Sequence, residues 1–279
     1  MNFLFWNIRG RSLANVDSQV LNALSALIQQ ESIDVIALAE YKEFSQQLDE
    51  LLVAQNGYLR VRKMSSKREK VDVFYNQAKL NISITYHGES ATALQLTSIE
   101  TGKTINGFFC HLKSKLHANS ADQIDSAFSY MEDVIEYEKS VANDNTFICG
   151  DFNMSPYEEG MVLRRAFHSI MDEKVVLKNP HRGTRTKKWA TFYNPMWGFA
   201  GDLGKGEVSG TYYYDGSKAK DYFWYIFDQV IIRPSILQYF DKSQLRIMTR
   251  IGEHNLLDEE GKINVDYSDH LPICYTLNF

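Results

Sequence analysis

The chain has 279 residues, 44% of them apolar and 13% aromatic, which is enough to bury a large core as one big domain or two small ones. Its formal net charge of −5 gives no global sign of nucleic-acid binding, so any such sign has to be local. Three cysteines, Cys110, Cys149 and Cys274, lie in separate apolar runs without paired spacing; this argues against a disulfide framework or a zinc site, and they read as buried thiols. No Pro/Gly/Ser-rich linker divides the chain, and no apolar run approaches the ~18 residues of a membrane span. The chain opens in a strand-like run, Asn2 to Trp6, and not in a signal stretch, so a soluble, cytoplasmic protein without a membrane partner is expected.

Phe3-Leu4-Phe5-Trp6 is a buried strand that ends in Asn7, with Ile8-Arg9-Gly10 as the exit turn. Val20, Leu21, Leu24, Leu27 and Ile28 have helical spacing and predict an amphipathic helix from about Asp17 to Gln30. Ile33 to Ala39 is a second buried strand and ends in Glu40. Leu48, Leu51 and Leu52 mark a second helix. Strands follow over Tyr58 to Arg62, Val71 to Tyr75, Leu80 to Thr85, Ala93 to Ile99 and Thr104 to Leu112, joined by short turns such as Thr101-Gly102-Lys103 into an antiparallel meander. The last of them carries Phe108-Phe109-Cys110 into His111. From Ala121 to Val141, Ile124, Phe128, Met131 and Val134 or Ile135 step with a helical period.

Phe147-Ile148-Cys149-Gly150-Asp151-Phe152-Asn153-Met154-Ser155-Pro156 is the stretch with most chemistry. Phe147 to Cys149 reads as a buried strand, Gly150 as the sharp bend that ends it, and Ser155-Pro156 as the start of a helix through Tyr157, Met161, Leu163 and Arg164. If the backbone stays extended, Asp151 and Asn153 point to one side and make a small oxygen-rich site. The other reading is a turn in which both only satisfy backbone donors.

The character then shifts. No acidic residue stands between Glu173 and Asp202, whereas Lys174, Lys178, Arg182, Arg185, Lys187 and Lys188 are basic and Trp189, Phe192, Tyr193, Trp197 and Phe199 are aromatic. A second aromatic run, Tyr212 to Tyr214 and Tyr222 to Phe227, leads into the strand Phe227-Asp228-Gln229-Val230-Ile231-Ile232. Tyr267-Ser268-Asp269-His270-Leu271-Pro272 precedes the last strand, Ile273 to Leu277.

Asn7, Glu40, His111, Asp151, Asn153, Asp228, Asp269 and His270 thus all fall at strand ends or adjoining turns, a recurrence that turn chemistry alone does not explain. The oxygens suit magnesium, and two imidazoles suit proton transfer near neutral pH. Of the seven histidines, His87, His117, His168, His181 and His254 lack such a setting and read as surface or packing residues.

These residues, in this order from Trp6-Asn7 through Ala39-Glu40, Cys110-His111, Gly150-Asp151-Phe152-Asn153 and Phe227-Asp228 to Ser268-Asp269-His270, resemble the endonuclease/exonuclease/phosphatase superfamily. That group contains pancreatic deoxyribonuclease, bacterial abasic-site endonucleases, neutral sphingomyelinases and inositol-polyphosphate phosphatases. The resemblance implies an α/β fold, a four-layer α/β/β/α sandwich of two packed mixed sheets with helices on the outer faces. It implies a single domain over residues 1–279, with a basic and aromatic-rich insertion at about 174–226.

By the same resemblance, Glu40 is the principal ligand for Mg2+, or Mn2+ in its place, with Asn7 and Asp269 close by. His270 looks like the general base and Asp228 like the carboxylate that orients it. Asp151 and Asn153 resemble the pair that holds the phosphate, His111 the second catalytic histidine, and Glu69 the acid that orients His111. Leu38-Ala39-Glu40 and Phe227-Asp228-Gln229 depart from the Leu-Gln-Glu and Ile-Asp-Tyr usual in abasic-site endonucleases, which turns the expectation away from abasic-site repair. The leading expectation is a magnesium-dependent nuclease with DNA as its partner, in which Arg182, Arg185, Lys187, Lys188 and Trp189 bind the strand beside the active site. A phosphatase or phosphodiesterase for a small phosphorylated metabolite, inositol phosphate or lipid head group is the alternative, and a catalytically inactive binding module is the third reading.

Overall fold

Side chains alternate across a strand, so a strand with both faces covered feeds two different cores. The chain shows this directly: Phe147 and Cys149 belong to one buried cluster and Ile148 to another, and Val230 and Ile232 are likewise separated from Ile231. The computed structural model describes residues 1–8, 17–40, 45–61, 70–116, 118–216 and 221–279.

A six-stranded sheet runs in the order Phe240–Ile247, Ile273–Leu277, β1 (Asn2–Asn7), β2 (Val35–Ala39), β4 (Val71–Asn76) and β3 (Tyr58–Arg60). A seven-stranded sheet runs β5 (Leu80–His87), β6 (Thr92–Ser98), β7 (Thr104–His111), β8 (Thr146–Asp151), Asp228–Ile232, Phe192–Tyr193 and Ser169–Ile170. Both are mixed: β1 is parallel to β2 and β7 to β8, and most other pairs are antiparallel.

The sheets pack face to face, with Phe3 of β1 edge-on to Phe147 of β8 at 5.3 Å between ring centroids. Outside the first sheet, the helix Asp17–Gln30 buries Val20, Leu24 and Leu27. Outside the second, the helix Ser120–Ser140 lays Ala127, Tyr130, Met131, Val134 and Tyr137 on Phe108, Ile148 and Ile231. Asn119 starts that helix by accepting the Ala121 and Asp122 amides in a capping box with Asp122. The result is the expected four-layer α/β/β/α sandwich.

Several local expectations change. Gly150 is a paired residue within β8 and not the bend after it; a Cβ there would stand 2.0 Å from the Cys110 carbonyl oxygen of β7. A methyl group pressed on backbone has no flexible neighbour to displace. Gly150→Ala is therefore expected to destabilise the fold by about 3 kcal/mol or more, read as a lower denaturation midpoint.

The helix expected from Pro156 is the single turn Glu159–Val162, because the chain turns extended at Leu163 and drops Ala166 and Phe167 into the core, where Phe167 meets Phe152 edge-on at 4.9 Å. The helix around Leu48 is one α-turn, Ser45–Leu48, continued as a π-helix over Asp49–Gln55. The meander divides after Asn76: β3 and β4 join the first sheet, β5 to β7 the second. The strand Phe240–Ile247 escapes periodicity because its exposed middle, Lys242-Ser243-Gln244, is a bulge between Asp241 and Arg246. Arg9, Gly10, Arg62 and His117 lie outside the described residues.

Candidate active site

Strand register builds the site. In the first sheet, Asn7 is level with Ala39, so Glu40 follows at the same edge. In the second, His111 is level with Asp151 and Asp151 with Asp228, so three polar groups from three adjacent strands share one rim. Because β1 packs across β8, the two rims meet.

Hydrogen bonds join them. The Asn7 amide donates to Glu40 Oε1 at 3.3 Å and to Asp151 Oδ2 at 3.0 Å. His111 Nε2 lies 3.3 Å from Glu40 Oε1 and 3.8 Å from Asp151 Oδ2, and His270 Nε2 lies 3.9 Å from the same Asp151 oxygen. His270 Nδ1 is bonded to Asp228 Oδ2 at 2.8 Å.

Asp151 serves both purposes considered from the sequence. Its Oδ1 accepts the Asn153 amide at 2.8 Å, an Asx turn, while its Oδ2 faces the cluster. That turn places Asn153 in the left-handed region, at φ 52°, where asparagine is tolerated; its Nδ2 donates to the Leu112 carbonyl at 3.1 Å. Glu40 is left-handed too, at φ 53°, and a long side chain held so at a cluster of functional groups is where backbone strain concentrates.

Residues outside the predicted set hold this rim in place. Ser268 Oγ donates to the Asn7 carbonyl at 2.7 Å and accepts the His270 amide at 3.1 Å, and Trp6 Nε1 donates to the His270 carbonyl at 2.9 Å, so the Ser-Asp-His turn is tied to β1. Thr211 Oγ1 accepts the Phe227 and Asp228 amides at 3.1 and 3.0 Å. Gln229, one of the departures from the abasic-site pattern, is fully buried; its amide donates to the Met154 and Ile226 carbonyls and its oxygen accepts from Asn194. The aromatic run before Asp228 and the Ser of Ser-Asp-His were the available signals.

Among the described residues, the electrostatics are those of an undercompensated acidic cluster. Burial disfavours charge on His270, yet Asp228 and Asp151 outweigh it and push the ring up to about 10. Burial acts on Asp228 in the opposite sense, raising it to about 6 against the pull of His270. Ring and carboxylate thus share one proton and one negative charge. His111 goes the other way: burial lowers its pKa despite Asp151 and Glu40, so its contact with Glu40 is that of a neutral ring.

Among the described residues, no lysine or arginine pairs with Glu40, Asp151 or Asp228. Hard oxygens in excess of positive charge are the donor set a divalent cation takes. Asp151, Asp228 and His270 also present ligand atoms within 4.8 Å of one another, a buried group that could hold a metal.

The rim opens into a cleft of about 680 Å³, a usual size for a small-ligand site. Glu40, Asp151, Asn153, Asp269 and His270 lie on one part of its wall and aromatic side chains on another. Arg182, Arg185, Lys187, Lys188 and Trp189 do not line it. They belong to the exposed hairpin of His181–Gly183 and Lys188–Ala190, where Lys187 Nζ sits 5.2 Å from the Trp189 ring centroid. The hairpin is anchored through Thr191, whose carbonyl accepts from Arg233 just past the Asp228–Ile232 strand. Asp228 begins that strand, so the anchor lies five residues from the rim, roughly 16 Å at strand rise. Phe192 and Phe199 are core residues. Glu69 lies outside the described residues.

The fold and the rim define a hydrolytic phosphoesterase. Residues 4–270 match the Endonuclease/Exonuclease/phosphatase family, and the chain belongs to it. No curated protein sequence matches the chain. Among solved structures, the human nocturnin catalytic domain with bound sulfate aligns with a TM-score of 0.60 at 15% identity, covering 99% of this chain and 93% of that one. Mannosyl-6-phosphatase from Bacteroides thetaiotaomicron aligns at 0.59 and 17% identity, with 100% of both chains covered. TDP2 of D. rerio, complexed with a single-strand DNA product, aligns at 0.55 and 16% identity, covering 100% of this chain and 99% of that one. At such identities these establish a common fold. Among the described residues no helix is long and apolar enough to cross a membrane.

Proposed function

We propose that the protein is a divalent-metal-dependent phosphodiesterase, a nuclease whose substrate is DNA. The observation that carries this is the His270–Asp228 pair, bonded at 2.8 Å, standing beside the Glu40–Asn7–Asp151–His111 cluster at the edge of an open cleft. A phosphodiester is anionic and repels hydroxide, so catalysis needs its charge offset and hydroxide made only where it is used.

Asp228 holds His270 by Nδ1; the neighbouring carboxylates favour a protonated ring, and a cation that offset them would free Nε2 to take the proton of the attacking water. Glu40, Asp269 and the carboxamide oxygen of Asn7 would hold a magnesium ion, which supplies neutralisation of both the phosphate and the carboxylate cluster. His111, kept neutral by burial, donates a hydrogen bond to a phosphate oxygen. Asn153 has a second amide hydrogen beyond the one given to Leu112, and directs it to a phosphate oxygen. Asp151 orients Asn7 and Asn153, one carboxylate oxygen for each.

The exposed cations Arg182, Arg185, Lys187 and Lys188, with Trp189, grip a long strand at a distance from the cut. Changing the four cations together to serine is expected to weaken binding of long DNA and flatten its salt dependence, leaving cleavage of short oligonucleotides unchanged. Purified protein with magnesium and a panel of labelled single-stranded DNA, duplex DNA, RNA, inositol phosphates and sugar phosphates tests the substrate class, with DNA cleavage expected. Turnover of small phosphomonoesters with no cut polynucleotide would instead establish the metabolite phosphatase.

A further inference from the structure

The catalytic histidine is the first member of a continuous series of ring contacts that leaves the metal-type cluster and follows the cleft outward. His270 meets Tyr212 at 4.9 Å between centroids, and Tyr212 is stacked on Phe227 at 5.3 Å with 22° between the planes. Phe227 meets Tyr225 at 5.1 Å, Tyr225 meets Tyr222 at 5.9 Å, and Tyr222 meets Tyr157 at 5.5 Å. All five aromatic residues after His270 line the cleft. The outer ones are not core: Tyr222 is 59% exposed and Tyr157 40%. They cross at 59°, and Tyr222 crosses Tyr225 at 86°, so neither outer ring lies flat on its neighbour.

Among the described residues, Lys115 is the only lysine or arginine on the lining, beside Glu40, Asp151, Glu158, Glu159 and Asp269. Its Nζ is engaged by Glu158 at 2.6 Å and lies 5.2 Å from the Phe227 centroid. On this wall the surface offered to a substrate is aromatic, with one lysine that is already paired. Ring stacking is the contact on offer, and it needs a planar group not already stacked on a neighbour in a duplex.

We infer that Tyr157 and Tyr222 form a stacking subsite for an unpaired nucleobase adjoining the scissile phosphate, which makes the substrate a single-stranded or frayed end and not an intact duplex. This deepens the nuclease reading and rests on it for the position of the scissile phosphate. The two tyrosines are specificity determinants; they are not catalytic residues.

The test compares the parent with Tyr222→Ala, Tyr157→Ala and the matching phenylalanine variants on two substrates. One is a short single-stranded DNA, the other the same sugar-phosphate chain with abasic tetrahydrofuran residues flanking the cut. The alanine variants are expected to raise KM for the base-bearing strand by about 5- to 150-fold with kcat little changed, the phenylalanine variants to retain the parental KM, and the abasic strand to show no difference between parent and variants. Equal losses on both strands, or none on either, would overturn the subsite. Calorimetric binding of thymidine 5′-monophosphate against deoxyribose 5-phosphate separates this from the nuclease reading. If the parent cuts neither strand, that reading fails; the subsite stands if the parent binds the nucleotide at least fivefold more tightly than the sugar phosphate and Tyr222→Ala removes the difference. Equal binding of the two, or a preference for the sugar phosphate, overturns it.

Discussion

His270→Ala is expected to lower kcat by about 100- to 10,000-fold while the protein remains folded, the span that loss of a positioned general base produces. The ring is buried and its Nδ1 is committed to Asp228 at 2.8 Å, so the two should act as one unit. The double variant with Asp228→Ala is then expected to be no more impaired than His270→Ala alone, since a carboxylate with no ring to orient contributes nothing to the chemistry. Asp228→Asn, which keeps the shape and loses the charge, should fall between the parent and His270→Ala. Losses that multiply across the two positions would mean that Asp228 acts on the substrate independently. Circular dichroism accompanies each variant, because Asp228 is fully buried and its removal opens space beside Thr211.

Glu40→Gln is expected to abolish most activity and leave stability nearly unchanged. The side chain is 40% exposed, and its amide replacement keeps the volume and the left-handed backbone at φ 53°. What the substitution removes is one full negative charge from the cluster, and with it a hard anionic ligand. Two readouts should therefore move together: turnover falls, and the magnesium concentration needed for half-maximal turnover rises. The denaturation midpoint should stay within the range of an ordinary surface change, about 0.5 kcal/mol. A variant that loses turnover with its magnesium requirement unaltered would remove Glu40 from the ligand set and leave it as a partner of His111 alone.

Much of this rim was legible in the sequence because buried strands are written as apolar runs, and the polar residue that bounds each run at one end is easy to see. Asn7, Glu40, His111, Asp151 and Asp228 are of this kind, and register alone then brings them together. The tethers were not legible. Ser268 and Thr211 bond backbone groups brought near by tertiary packing, and a hydroxyl residue in a turn carries no mark of such a partner. Gly150 was visible as a glycine but not as a close approach, because the Cys110 carbonyl that requires it belongs to a strand forty residues earlier. Composition also identified two aromatic segments without locating them. The basic one, Lys174 to Phe199, places Arg182, Arg185, Lys187 and Lys188 on an outlying hairpin and Lys174 and Lys178 on the short helix before it, whereas the tyrosine-rich one lines the cleft. Charge and hydropathy are properties of a segment; which end of a sheet it occupies is decided by pairings such as Tyr193 with Ile232 that the segment itself does not encode.

The central claim is that an undercompensated carboxylate cluster at a shared sheet rim is a metal-dependent phosphodiester hydrolysis site. The most direct measurement follows cleavage of a labelled single-stranded DNA by the purified protein after stripping with excess chelator, and then during titration with magnesium or manganese. No product in chelator and saturable recovery on adding back the ion, with Glu40→Gln shifted to higher ion concentration, is the predicted result. Undiminished cleavage in excess chelator would contradict the account.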